Sequence, residues 1–462
     1  MHHYHHMAHH HTVHAVNMTE GSPLKLILTL ALPLIVTNVG QQLYGIADAV
    51  IIGRGAGVHG FAAVGACDWL IWAILWAAQG LTQGFSSLVA QNFGAGRLRE
   101  MRRAVCMCAR LCLIIGLSVT VVFVVLARSL LVMLNTPGDI IQDAYIYLTI
   151  IYCGTIMVIG YNMASAILRA VGDGKTPLLA MLIAACTNIV LNLIFVVKLN
   201  FGIGGAAFAT IIAQTLAFLF CMVEIRRSDL FEFELADWKW DKDMAKEMCR
   251  IGIPLALGNS IVVIGGIATQ AVTNLYGAIF VAGCTAATKF HGLLDCSAVA
   301  IGFATATFVG QNYGAKRLDR VRKGIKQATV IALISAVVIM IVMIFAEKPL
   351  VGLLLDKTME HADMALEVAY EYVAVMTEML IAAYLMYLFK YSLQGLGNSI
   401  APMLSGVLEV GVRIFVAYVL VDQFGSHALF YRDGAAWILA AVFMIICFIF
   451  TLKKRERILS EL

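Results

Sequence analysis

Stretches of about twenty residues with little or no charge recur along the whole chain, and a chain written this way has few folds open to it. One set covers residues 26–47, 69–96, 111–127, 144–168, 176–197 and 199–223. A second covers 251–288, 296–315, 327–346, 379–389, 391–408 and 434–452, the first of these holding one span, an Asn-Leu-Tyr-Gly turn and the start of the next. A helix rises about 1.5 Å per residue, so about 20 apolar residues cross the hydrocarbon core of a bilayer. Inside that core every backbone N–H and C=O must find a partner within the segment, which leaves helices for runs of this length. The pattern predicts an all-α polytopic membrane protein of twelve transmembrane helices, six before residue 228 and six after residue 243. Composition agrees, with 61% of the 462 residues hydrophobic and 13% charged, where a soluble domain carries about 25% charge. A cytosolic enzyme is excluded.

The segments between the runs set the expected organisation. The first fourteen residues, MHHYHHMAHHHTVH, hold eight of the twelve histidines, and a disordered His-rich tail is expected over 1–22. The apolar run that follows is too long for the core of a cleavable signal peptide. Residues 228–243, SDLFEFELADWKWDKD, carry Trp238 and Trp240 and read as a cytoplasmic interfacial linker between lobes at 23–227 and 244–455, with a short cytoplasmic tail at 456–462. Of the 33 Lys and Arg, 23 fall in segments on the side of the amino terminus, six on the other side and four within spans. That bias places both termini in the cytoplasm of a cell inner-membrane protein. The eleven cysteines show no metal-ligand or redox spacing and are read as small packing residues.

The two sets of spans are copies of one another. Gln91-Asn-Phe-Gly-Ala-Gly-Arg-Leu98 recurs as Gln311-Asn-Tyr-Gly-Ala-Lys-Arg-Leu318, a shift of 220. Pro33, Leu34 and Asn38 recur as Pro254, Leu255 and Asn259. Leu168, Gly172, Pro177 and Leu179 recur as Leu393, Gly397, Pro402 and Leu404, and Gly205-Ala-Ala recurs as Gly434-Ala-Ala. Repeats with an even number of spans share one orientation, so a pseudo-two-fold axis along the membrane normal must relate them. Two six-helix lobes facing each other across a cleft are the architecture of alternating access.

The segment Gln41-Gln-Leu-Tyr-Gly-Ile-Ala-Asp48-Ala-Val-Ile-Ile-Gly-Arg54, the paired QNxGA elements and the Gly172/Pro177 and Gly397/Pro402 turns together resemble the multidrug and toxic compound extrusion (MATE) family, nearest its bacterial DinF-like branch. The resemblance covers about residues 24–453. It implies a V-shaped pair of lobes exporting amphipathic, usually cationic, compounds in exchange for H⁺ or Na⁺.

A charge at mid-bilayer costs about 2.5–3.5 kcal/mol on insertion scales and marks a task or a partner. Asp48 ends a charge-free stretch with no basic residue within four positions. Stripped of its hydration shell, such a carboxylate is driven to take up a proton or a cation. Asn188 and Asn192 lie four apart on one helical face, where their amides could coordinate a cation, hold a carboxylate or simply join helices. The resemblance supplies a fuller set: the family's amino-terminal ion site falls on Asp48, Tyr147, Asn188, Asn192 and Thr210. At Asn192 this sequence departs, an amide replacing the family's second acid, and the choice between H⁺ and Na⁺ stays open. The duplication adds its own hint. Asp48 maps onto Ala268 or Thr269, and Asn188 and Asn192 onto Arg413 and Ala417, so the acid and its amide face exist only in the first lobe.

Other charges occupy the second lobe. Glu409 and Arg413, spaced i, i+4, are read as a structural ion pair. Lys289, His291, Asp295 and Glu378 are candidates for a second polar cluster. The seventh-span Glu of the NorM-like branch falls on Ser260 or Asn259. Asp68 is placed at the start of the second span, with Trp69, Trp72 and Trp76 on roughly one face below it. No Walker A, GxSxG or HExxH pattern occurs, and Gly172-Asp-Gly-Lys-Thr is a turn, so no catalytic residue, cofactor or metal is expected. The expected partners are small organic cations, H⁺ or Na⁺ and the lipid bilayer, with no nucleic acid, and the expected state is a monomer. The rival reading is a flippase for a lipid-linked sugar, which Lys289, Lys390 and Arg413 would serve by gripping a pyrophosphate.

Overall fold

A computed structural model describes residues 14–55, 57–134, 136–351 and 362–461. The first repeat runs α1 (Pro23–Gly55), α2 (Gly57–Gly94), α3 (Leu98–Met133), α4 (Ile141–Cys153), α5 (Thr155–Ala170), α6 (Lys175–Asn192) and α7 (Gly202–Arg227). The second runs α8 (Lys242–Asn274), α9 (Ala278–Gly314), α10 (Leu318–Val351), α11 (Ala362–Glu378), α12 (Leu380–Gly395), α13 (Ile400–Phe415), the short α14 (Val421–Phe424) and α15 (Arg432–Ser460). Among the described residues there is no strand. Ten helices are long and apolar enough to cross a membrane, and two bent pairs, α4 with α5 (44°) and α11 with α12 (53°), bring the total to as many as twelve.

The bends account for the places where the sequence runs and the helices part company. At Gly154 the missing side chain admits Ile211 of α7, which would lie 2.4 Å from an added Cβ. The matching bend after Glu378 has no glycine of its own, and Gly434 of α15 supplies the close approach, against Met379. The tenth span therefore begins far upstream of the apolar run at 379–389, because Asp363, Glu367, Glu371 and Glu378 interrupt the hydropathy of α11. Conversely, the apolar run 391–408 conceals the turn at Gly397, whose φ of +75° only glycine adopts readily. Each repeat also has a π turn at the same point, Leu193–Lys198 after α6 and Val416–Leu420 after α13.

The two-fold relation appears as reciprocal contacts between the lobes. Asn38 of α1 donates to the Cys296 carbonyl (3.0 Å), and its repeat counterpart Asn259 of α8 donates to the Trp76 carbonyl (3.0 Å). Gln91 donates to the Gly395 carbonyl (3.1 Å), and Gln311 to the Ala170 carbonyl (3.0 Å). A Cβ on Gly94 would stand 2.0 Å from the Gln311 carbonyl oxygen, and one on Gly314 would stand 1.8 Å from that of Gln91. The QNxGA elements are thus one clasp used twice, closing the lobes against each other at the face that carries the basic turns. Backbone also meets backbone at Gly84 and Gly252 and at Gly80 and Leu255.

The hydrophobic cores do not divide at the linker. Ile27, Leu30, Ala31 and Leu34 of α1 sit in the core built by α9, α11, α12 and α15, whereas Ile52 at the far end of α1 sits in the core of its own lobe. Reciprocally, Ala245 and Met248 of α8 lie in the core of α2, α3, α5 and α7, and Val272 packs with Ala417 and Leu429. Each lobe's first helix therefore crosses the interface. Burying such side chains removes apolar surface that would otherwise remain open along the cleft.

The expectation of a disordered tail through residue 22 is corrected over its last part. Residues 1–13 lie outside the described residues, but 14–22 run across the clasp. The Val16 amide donates to the Val171 carbonyl (2.8 Å), the Met18 amide to Gln311 Oε1 (2.8 Å), and Arg317 and Arg320 donate to the carbonyls of Thr19, Gly21 and Met18 (2.9–3.1 Å). Met18 is fully buried. The histidine bias hid these contacts, which rely on backbone groups and leave no compositional trace. The linker is also held: Asp241 accepts from Arg103 (2.8 Å), and buried Asp237 lies 3.8 Å from Arg102. Gln311→Leu strands the Met18 amide and the Ala170 carbonyl together, and is expected to cost about 1–3 kcal/mol, read as a lower midpoint of thermal unfolding in detergent.

Candidate functional site

Asp48 lies on α1 opposite the end of α6, where the π turn begins. The Asn192 side-chain amide donates to Asp48 Oδ1 and, at 2.9 Å, to Asn188 Oδ1. Asn188 in turn donates to Thr210 Oγ1 on α7 (3.1 Å), and Thr210 donates to the Ala206 carbonyl (3.1 Å). Both asparagines are fully buried. Spacing of i, i+4 puts them on one face of α6, and the π turn just beyond widens the helix there. Tyr147 is buried beside the group within electrostatic reach of Asp48, and half-buried Tyr44 and Asp68 lie within the same reach, though no hydrogen bond joins Tyr147 to the carboxylate.

Both N–H of the Asn192 amide are used, while its Oδ1 is buried without a partner. Among the described side chains, which do not include that of Arg54, no basic group lies within 4 Å of Asp48. The pocket thus sets an unpartnered buried oxygen beside a carboxylate, a combination that a proton or a small cation satisfies. Asp68 belongs to the same neighbourhood, three turns inside α2 and not at its start, because the helix begins at Gly57. Below it Trp72 and Trp76 stack with centroids 6.4 Å apart, and Trp69 rests on Gly266 of α8.

The second lobe is organised around charge pairs. Arg413 lies 3.3 Å from Glu409 and 2.7 Å from Asp433. Asp433 also accepts from the Tyr372 hydroxyl (2.6 Å) and Arg432 (3.4 Å), and Arg432 donates to Thr273 (3.0 Å) while lying over the Tyr372 ring. The Glu409–Arg413 pair expected from the sequence is therefore half of a buried network of alternating sign, completed by Arg432 and Asp433. Beside it Tyr387 donates to Asp295 (2.9 Å), with His291 3.6 Å from the same carboxylate and packed on Trp437. The expected second cluster is corrected at Glu378, which is exposed at the α11–α12 bend and takes no part. The Lys289 side chain lies outside the described residues. Asn259, where the NorM-like Glu was sought, is committed to the interlobe clasp.

The MatE family model matches residues 33–194 and, a second time, residues 254–419. The chain belongs to the MATE family of transporters. As a MATE protein it is a multi-pass membrane transporter that handles small molecules, and the double match falls on the two repeats. The Bacillus subtilis protein YpnP, a probable multidrug resistance protein, is 30% identical over 310 residues, 66% of this chain and 69% of its own. The Thermotoga maritima protein NorM, also a probable multidrug resistance protein, is 25% identical over 425 residues, 90% of this chain and 88% of its own. Among solved structures, a Pyrococcus furiosus transporter of the MOP superfamily, described as having a binding pocket of reversed polarity, superposes with a TM-score of 0.90 at 23% identity over 96% of this chain and 99% of its own.

Proposed function

We propose that this MATE transporter is a secondary active multidrug exporter, a monomer in the cell inner membrane with both termini cytoplasmic, that expels amphipathic organic cations in exchange for H⁺ or Na⁺. The coupling ion occupies the pocket of Asp48, Asn188, Asn192 and Thr210, with Tyr147 at its wall. The observation that carries this reading is a carboxylate that accepts from an amide, with no basic group within 4 Å among the described side chains, next to the unpartnered Asn192 Oδ1. A permanent counter-charge would leave nothing for a transported ion to do.

Exchange follows if the ion and the substrate favour different arrangements of the lobes, since each then displaces the population that the other stabilises. The π turn beside Asn192 and the clasp at the basic face are the elements through which filling the pocket would be felt. The test is transport in proteoliposomes with H⁺ and Na⁺ gradients imposed separately. Asp48→Asn is expected to lower gradient-driven export of a fluorescent organic cation at least tenfold while leaving the protein folded. Export by this variant with an unaltered response to both gradients would remove Asp48 from the coupling site.

A further inference from the structure

Two cations buried at the seam between the lobes have no acid to answer them. Lys390 on α12 and Arg169 at the end of α5 are each only 9% exposed, and among the described residues no carboxylate oxygen lies within 4 Å of either. The nearby acids are engaged elsewhere, Glu409 with Arg413 and Asp295 with Tyr387 and His291. The Lys390 ammonium, with three hydrogens to give, makes one bond, to Asn259 Oδ1 at 3.3 Å. Arg169 donates to Ser165 and to Gln83 Oε1 (3.0 Å), lies 4.9 Å over the Phe303 ring, and keeps a buried Nε with no partner.

One small space lies beside Lys390. Lys390, Asn259, Gln79, Gln83 and Tyr391 line it, with Phe303 at one wall, and Arg169 stands directly behind Gln83 and Phe303. The Gln79 side-chain amide and the Tyr391 hydroxyl make no hydrogen bonds to described residues, so their N–H and O–H groups are free to donate alongside the Lys390 ammonium to an anion placed there. The Phe303 and Tyr391 rings meet edge to face at 4.8 Å and give the space an apolar side. With the lobes clasped the space is about 10 Å³, room for about one water. Anything larger enters only when the seam opens.

We propose that this seam is a binding site for the anionic head group, carboxylate or phosphate, of an amphipathic molecule, held by Lys390 with Arg169 as the second positive charge. Its polarity is the reverse of the Asp48 pocket. It extends the molecules this transporter handles from cations to anion-bearing and zwitterionic amphipaths. The head group replaces the long Lys390–Asn259 bond when the lobes part, and closure of the clasp squeezes it out.

The inference does not depend on Asp48, and the test separates the two. Purified protein in a neutral maltoside detergent is titrated with dodecyl phosphate, dodecyltrimethylammonium and inorganic phosphate, with the rise in unfolding temperature as the readout. Dodecyl phosphate is expected to stabilise wild type and Asp48→Asn alike, tenfold more weakly Lys390→Gln, and nearly normally Lys390→Arg. Lys390→Gln sheds a buried charge and retains a side chain able to donate to Asn259, and Gln79→Leu, on the opposite wall, is the second variant, with about a threefold loss expected. The source is read in nanodiscs: phosphatidylglycerol retained by wild type and lost from Lys390→Gln assigns the site to a lipid head group, and dodecyl phosphate binding without lipid retention assigns it to a soluble amphipath. Equal binding of dodecyl phosphate by wild type, Lys390→Gln and Gln79→Leu overturns the proposal, as does stabilisation by the ammonium that depends on Lys390.

Discussion

Gly314→Val is expected to give a protein that folds and inserts but exports at less than one hundredth of the wild-type rate. The reason is the clasp. A side chain at Gly314 would begin 1.8 Å from the Gln91 carbonyl oxygen and 2.6 Å from its carbonyl carbon, and these are backbone atoms of a packed helix that cannot step aside. Valine therefore excludes the state in which the lobes meet at the basic face, while the interior of each lobe is untouched. A transporter confined to one arrangement binds its substrate without cycling it. The comparison variant is Gly411→Val on α13, where an added Cβ meets nothing within 4 Å and export should persist. Export is measured in proteoliposomes, and closure is measured by the labelling rate of a single cysteine placed beside Gln91. Normal export by Gly314→Val, with that cysteine still protected, would show that the lobes need not come this close.

Asp433→Ala is expected to destabilise the protein by about 3–5 kcal/mol, the range found when one partner of a buried ion pair is removed. Asp433 answers two arginines and a tyrosine hydroxyl, and both arginines are more than 90% buried. Without it, Glu409 still neutralises Arg413, but Arg432 is left with only Thr273 and the face of Tyr372. The loss should appear as a fall in thermal unfolding temperature in detergent far exceeding that of Glu409→Ala, which leaves Arg413 paired with Asp433. Equal destabilisation by the two variants would show that the charges do not act as a chain with Asp433 at its centre.

The architecture was readable in the sequence because its signals are periodic and local. Apolar length gives spans, and the recurrence of Pro33/Pro254, Asn38/Asn259 and Gln91/Gln311 gives the two-fold relation. The task of those residues was not readable, since the acceptors of Asn38 and Gln91 are carbonyls of the other lobe, more than two hundred residues away. In the first lobe Asp48, Asn188, Asn192 and Thr210 could be named by helical spacing and resemblance, and the structure brings them together. Asp68 was misplaced because its helix starts earlier than its apolar run. Arg432 and Asp433 were missed because they sit next to a segment that looks like a loop. A signal was nevertheless available: they precede the Gly434-Ala-Ala landmark, and the matching residues of the first repeat, Ile203 and Gly204, are uncharged.

The passage of α1 from one core to the other has a mechanical consequence. A helix anchored by Ile27 and Leu30 in one half and by Ile52 in the other cannot let the halves swing apart like the covers of a book. Any rocking has to be absorbed within that rod, between Leu34, still packed in the second lobe's core, and Ile52 in the first. The same rod carries Asp48, so the residue proposed to sense the ion rides on the part that must flex.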